Sequence, residues 1–368
     1  MTAPSLTPPA TRTGTQGTRT PVGRVLLLGV GGLCLLAGLD AALVRLGVWA
    51  PVASERVGDL HGPVMVLGFL GTLISLERAQ ALRNPLAHVA PALLGVGAVV
   101  LVAGGPVLLG QLLLFDGALA FTAVLVALWV RAPVPLVAAQ ALGAFFAALA
   151  AGLWMRLDVA TILPLLAVFL IITIASERAE LAQLTMGARA VPTLLTLVCL
   201  LSLGAITAVV APAVGLRILG LGATLVAFWL LRDDVGRRMV RTSGLRRFNA
   251  AALMAGNVWL ALAGLVWLVV GQPDGRWAYD IVIHGTFLGF GISMVMAHAP
   301  IIFPAVIGRP LPYTRAFWVP LVALHASLAL RVVGDLAGID LLWRTGGIVN
   351  VASILLFILV AAHAVIRP

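Results

Sequence analysis

The residues with the greatest chemical potential in this chain are ionisable side chains set inside long apolar stretches: Asp40, His61, Asp116, His284, His298, His325 and His363, with His88 at the start of another such stretch. An ionisable group in hydrocarbon is costly, so each is either paired or functional. Histidine dominates the set, and imidazole is the common axial ligand of haem iron and a good ligand for copper or zinc. His61-Gly62 is followed by Gly68, and His284-Gly285 by Gly291, so a His-Gly-x5-Gly pattern occurs twice. Below each histidine the one-face spacing of a helix selects a narrow strip: His61, Met65, Gly68, Thr72 and Ser75, and in the second copy His284, Leu288, Gly291, Val295 and His298. Small residues under a histidine let two helices approach closely or leave room for a flat cofactor between them. The expected chemistry is a haem iron held by His61 and His284, with His298 and His325 supporting a second metal or a proton route. The competing reading is that each histidine is a hydrogen-bonded packing residue. Asp116 has no basic partner within its own stretch and is a candidate for carrying protons or for transport, whereas Asp40 could pair with Arg45.

The elements that position these residues are membrane spans. The 368 residues are 61% hydrophobic and 10% charged, with a mean hydropathy of +1.09, against about 25% charged in soluble domains. A span needs about 20 mostly apolar residues, and cutting the chain at charges and Pro/Gly clusters leaves twelve runs. They lie near 24–46, 60–76, 86–104, 107–130, 133–155, 158–176, 190–211, 213–232, 248–271, 278–303, 314–333 and 345–366, the second being short enough to extend past its charges. All 24 basic residues are arginine. With the N-terminus inside, inner segments hold 17 of them and outer segments 7, the bias expected of cytoplasmic loops. Both termini are therefore expected on the cytoplasmic side of a bacterial inner membrane. The expected fold class is an all-α polytopic bundle: a disordered tail over 1–22, then one bundle over 23–368. The Arg-rich loop 232–247 would rest on anionic headgroups and could divide halves 23–231 and 248–368.

Other classes are excluded by what is missing. The two cysteines, Cys34 and Cys199, lie in separate apolar runs and offer no disulfide framework or CxxC site. The first 22 residues lack the apolar core of a cleavable signal, and no P-loop, HExxH or GxSxG motif is present. The basic excess reads as topology rather than nucleic-acid binding. Internal repetition extends to Glu77-Arg78-Ala79 and Glu177-Arg178-Ala179, each at the inner end of an even-numbered span. Because adjacent residues on a helix do not face one another, each Glu is expected to pair with an Arg on another helix.

The stretch His61-Gly62-Pro63-Val64-Met65-Val66-Leu67-Gly68-Phe69 resembles the start of an early span in the NnrS family of haem- and copper-associated membrane proteins, whose pattern is His-x-His-Glu-Met-x-x-Gly-Phe. His61, Met65, Gly68 and Phe69 match, and Pro63 and Val64 stand where the family has its second His and its Glu. The stretch His284 to Met294 with Gly308-Arg309-Pro310-Leu311 is similar to that family's tenth span and the turn after it, with Val306 in place of a His. The resemblance implies a haem, with copper as an alternative, held by His61 and His284, an apolar lining from Met65, Phe69 and Phe287, and a role in nitric oxide or redox stress handling or in electron transfer. It further implies a diatomic gas as ligand and a membrane redox partner as electron donor. Two histidines filling both axial positions make an electron carrier or sensor, and an enzyme would need one position open. The rival is a secondary transporter or a cofactor-free membrane protein, in which spans broken near Pro164 or Pro320 would surround a cavity lined by Asp116 and His325.

Overall fold

The computed structural model describes residues 22–52 and 54–366. Twelve helices within them are long and apolar enough to cross a bilayer, and no strand occurs among the described residues. They are α1 Val22–Arg45, α2 His61–Leu82, α3 Pro85–Val102, α4 Val107–Arg131, α5 Pro135–Leu153, α6 Val159–Leu181, α7 Ala190–Val210, α8 Pro212–Asp233, α9 Gly244–Val270, α10 Arg276–Pro304, α11 Arg315–Leu336 and α12 Asp340–Ile366. Each matches one expected run, and α2 does extend past Glu77 and Arg78 to Leu82. The tail expected over 1–22 lies outside the described residues except for Val22, which already opens α1.

Helices neighbouring in sequence pack as antiparallel hairpins, with α3 against α4, α4 against α5, α7 against α8, α8 against α9 and α11 against α12. The most central helix is α6: 83% of its most apolar stretch is buried, against 33% for α1, α4 and α12. A helix that is apolar all round belongs in the middle of a bundle. Pro164 does not break α6, whose helix continues past Leu181 to Met186, and Pro320 falls in the first turn of the regular α-helix that begins at Trp318 within α11, where its missing N–H costs little. One continuous core joins residues from α1 through α12, and α8 packs directly on α9. The basic loop therefore does not divide the chain into two bundles.

The departures from regular helix fall in α2 and α10. Val64–Gly71 in α2 and Gly285–Ile292 in α10 are π-helical, eight residues each. The first begins two residues after His61-Gly62 and the second begins at Gly285 of His284-Gly285, so the sequence echo is also an echo of backbone geometry. π-Helical turns are rare and gather at functional sites.

Capping fixes the start of α6. Asp158 is its N-cap and accepts a hydrogen bond from the Thr161 amide at 2.7 Å. That bond, first among several, holds its carboxyl below the ordinary carboxylate range. A depressed carboxyl contributes stability that is full above its unfolded value and is lost as pH falls through the folded one. Asp158→Ala should cost about 1 kcal/mol at neutral pH, and the difference from the native chain should shrink on acidification, as measured by thermal unfolding in detergent.

Candidate functional site: two anchored histidines beside a buried ion pair

His61 opens α2, and His284 lies about two turns into α10. A short helix, Glu55–Asp59, precedes α2, so both histidines sit more than a turn from where the chain becomes helical. They come within electrostatic range of each other, with Arg45 and Arg331 near His61 as well. Each ring is held through Nδ1. His61 Nδ1 hydrogen-bonds the Gly38 carbonyl at 2.8 Å, and His284 Nδ1 meets Asp280 Oδ1 at 2.7 Å, one turn earlier on α10. Among the described residues, neither Nε2 has a hydrogen-bond partner, and neither is fully enclosed. A histidine fixed through Nδ1 by a carbonyl or carboxylate, with Nε2 presented outward, is the arrangement metal-ligating imidazoles adopt.

Gly38 makes the close approach possible. A side chain there would run into the Met65 sulfur, so α1 and α2 come close enough for the Gly38 carbonyl to reach His61. Met65, one turn below His61, is thus the packing contact of that approach.

Asp280 is the hub of the site and the residue that sequence reasoning missed. It is 5% exposed and receives both Nε and Nη2 of Arg331 at 2.6 Å, as well as His284. The Arg331 guanidinium lies 5.2 Å from the Trp343 ring centroid, and Arg276 lies 4.8 Å from the same ring. Arg276 also bonds Asp335 at 2.5 Å and Asp340 at 2.9 Å. Helices α10, α11 and α12 are thereby tied together by charge at this end. The i,i+4 spacing of Asp280 and His284 is legible in the sequence and is the available signal. Nothing local announces Arg331.

The other expected site residues divide. His298 is buried, its Nδ1 hydrogen-bonded to the Met294 carbonyl at 2.8 Å, and it lines a separate cavity of about 450 Å³. That cavity lies among α1, α2, α6, α10 and α12 and is mostly apolar; its polar lining includes Glu77, Glu177 and Thr173. Phe69 lines it too, and Phe287 packs half-buried against the core. His325 accepts a hydrogen bond from Trp259 Nε1 at 3.0 Å on Nδ1 and meets Ser293 Oγ through Nε2 at 3.2 Å. Both ring nitrogens are thus engaged by neighbouring side chains, unlike those of His61 and His284.

Asp116 lines neither this cavity nor the space between the histidines: it is exposed on the outer face of α4 among Leu112 and Leu119. The cavity expected between Asp116 and His325 is therefore replaced by one lined by Glu77, Glu177 and His298. Asp40 does not pair with Arg45; it accepts the Val52 amide at 2.9 Å, and Arg45 lies 3.8 Å from Asp59. Of the two Glu-Arg echoes, Arg78 bridges to Glu177 of α6 at 3.6 Å, the cross-helix pair expected for Glu177, but it lies equally close, at 3.6 Å, to its own neighbour Glu77, in contrast to the cross-helix pairing expected of that residue. Arg178 instead makes a buried two-bond pair with Asp234. His88 and His363 lie at helix ends, His88 bonding the Pro85 carbonyl three residues back at 3.3 Å.

These features define a twelve-span, all-helical membrane protein with two anchored histidines near one end of the bundle. The chain belongs to the DUF8744 family, a domain of unknown function, whose model matches residues 24–366. No functionally curated protein matches it.

Proposed function

We propose that this is a haem-binding protein of the bacterial inner membrane, similar to the NnrS family, acting in nitric oxide or redox stress handling or in electron transfer. The observation that carries the reading is the pair of imidazoles with Nδ1 anchored and Nε2 unengaged, on the two π-helical spans. Among the described residues no three His, Cys, Asp or Glu side chains converge to hold a bare metal ion. A haem brings its own four equatorial donors and asks the protein only for axial ligands, so two histidines suit it better than they suit copper. The chain's residues would act as follows. His61 and His284 offer Nε2; the Gly38 carbonyl and Asp280 fix the ring planes and tautomers; Arg331 neutralises Asp280, so that the carboxylate orients His284 without leaving a buried net charge. When bound, haem iron supplies one-electron chemistry and, at an open position, affinity for a diatomic gas. The arginine bias supports an orientation in which this end of the bundle would face away from the cytoplasm.

The test is the absorption spectrum of the full-length protein purified in detergent after expression with haem available, oxidised and dithionite-reduced. A Soret band is expected, lost or strongly shifted in His61→Ala and in His284→Ala while both variants elute as monodisperse species. Native protein that is folded yet shows no Soret band overturns the reading. The transport alternative then centres on the cavity lined by Glu77, Glu177 and His298, the one observation in its favour.

A further inference from the structure

At the Arg-rich end, far from the histidines, lies a second cavity of about 610 Å³, formed where α6 ends, α7 begins and the segment after α8 folds back. Its lining includes Arg189, Arg232, Arg237, Arg238 and Arg241. These come from two stretches of chain about 40 residues apart, so the cluster is made by the fold and not merely by a basic run. Two acidic residues share the lining, Asp233 and Asp234, and both are already committed. Arg232 closes onto Asp233 with bonds of 2.7 and 2.8 Å. Asp234 is buried, bound to Arg178 through two bonds of 2.9 Å, and accepts the Gly236 amide at 2.7 Å. That buried pair shapes the turn and spends the Asp234 charge on a residue outside the lining. Arg189, Arg237, Arg238 and Arg241 are exposed and have no carboxylate partner among the described residues. Four uncompensated guanidiniums thus face one cavity, at the positive end of the 21-residue helix α7, with Trp229 and Met186 on its apolar side.

We infer that this cavity binds a molecule carrying two phosphate groups. Guanidinium forks match phosphate oxygens in pairs, and four of them serve two phosphates. An anion of lower charge would leave part of the cluster repelling itself. The same chemistry is offered by a diphosphatidyl lipid headgroup from the inner leaflet and by a soluble diphosphate. The inference is independent of the haem reading, which concerns the opposite end of the bundle.

The experiment uses the full-length protein in nanodiscs of phosphatidylcholine. Tetraoleoyl cardiolipin and dioleoyl phosphatidylglycerol are titrated in separate series matched for phosphate, with binding read by native mass spectrometry; inorganic pyrophosphate is titrated as the soluble probe. Retention of cardiolipin over phosphatidylglycerol identifies a lipid source, and saturable pyrophosphate binding identifies a soluble one. Either supports the site. Each arginine near an anionic ligand contributes about fivefold, so Arg189→Gln/Arg237→Gln/Arg238→Gln/Arg241→Gln should weaken binding by about a hundredfold or more. Arg246→Gln/Arg309→Gln removes two exposed charges from outside the cavity and should change it by less than about threefold. The four-residue variant should keep the native melting temperature, because those side chains are exposed and make no hydrogen bond or ion pair among the described residues. No binding above the phosphatidylglycerol level for any probe overturns the inference, as does an equal loss per arginine removed in the two variants, which would mean diffuse attraction to charge.

Discussion

Asp280→Ala should lower the stability of the detergent-solubilised protein by about 3–5 kcal/mol, seen as a large fall in the unfolding midpoint. Asp280 and Arg331 are both buried and joined by two bonds of 2.6 Å. Removing the carboxylate strands the guanidinium beside Trp343 without a counter-charge, and the cost of an unpaired buried ion exceeds the net worth of the pair it leaves. The complementary variant, Asp280→Leu/Arg331→Leu, removes both charges and should recover most of the loss. A double variant as unstable as the single one would mean that the pair acts through shape rather than charge. The difference in fluorescence between the chain and its Trp343→Phe variant gives a local readout, since the ring lies 5.2 Å from Arg331 and 4.8 Å from Arg276. In haem-loaded protein, the same single variant should also broaden or shift the Soret band by releasing His284 Nδ1.

Gly220→Ala should destabilise the bundle by about 1–3 kcal/mol, although alanine elsewhere in a helix is the better residue by about 1 kcal/mol. The reason is the crossing of α8 and α9. A Cβ at Gly220 would collide with the Leu268 amide and stand 2.6 Å from the Gly264 carbonyl oxygen; one at Gly264 would stand 2.6 Å from Thr224 Oγ1 and 2.7 Å from the Thr224 amide. These neighbours are largely backbone, which cannot rotate away, so the helices would have to separate. Gly29 lies on the exposed face of α1, and a Cβ there would meet nothing within 4 Å. Gly29→Ala should therefore be neutral or slightly stabilising in the same thermal assay. If the two substitutions shift the midpoint in the same direction, the close crossing does not hold the bundle together.

Much of this architecture is legible in the sequence. The twelve spans emerge from run length and hydropathy because the requirement for crossing a bilayer is local: about 20 apolar residues in succession, with no reference to what lies beside them. The recurring His-Gly-x5-Gly pattern also points to α2 and α10, where the π-helical segments lie. The i,i+4 position of Asp280 relative to His284 is likewise local information.

What only the tertiary structure decided is which way each helix turns and which distant charges meet. In a soluble protein a polar stripe marks the outer face of a helix, but lipid is as apolar as a protein interior, so a span carries little such signal. For that reason Asp116 reads as an interior candidate and lies on the outside of α4. His325, which reads as a spare ligand, is consumed by Trp259 and Ser293, 66 and 32 residues away. Arg178, which reads as one half of a Glu-Arg echo, is drawn 56 residues along the chain to Asp234, and Arg331 reaches 51 residues back to Asp280. A buried charge takes the partner that packing brings within hydrogen-bond reach, and sequence distance has no part in that choice.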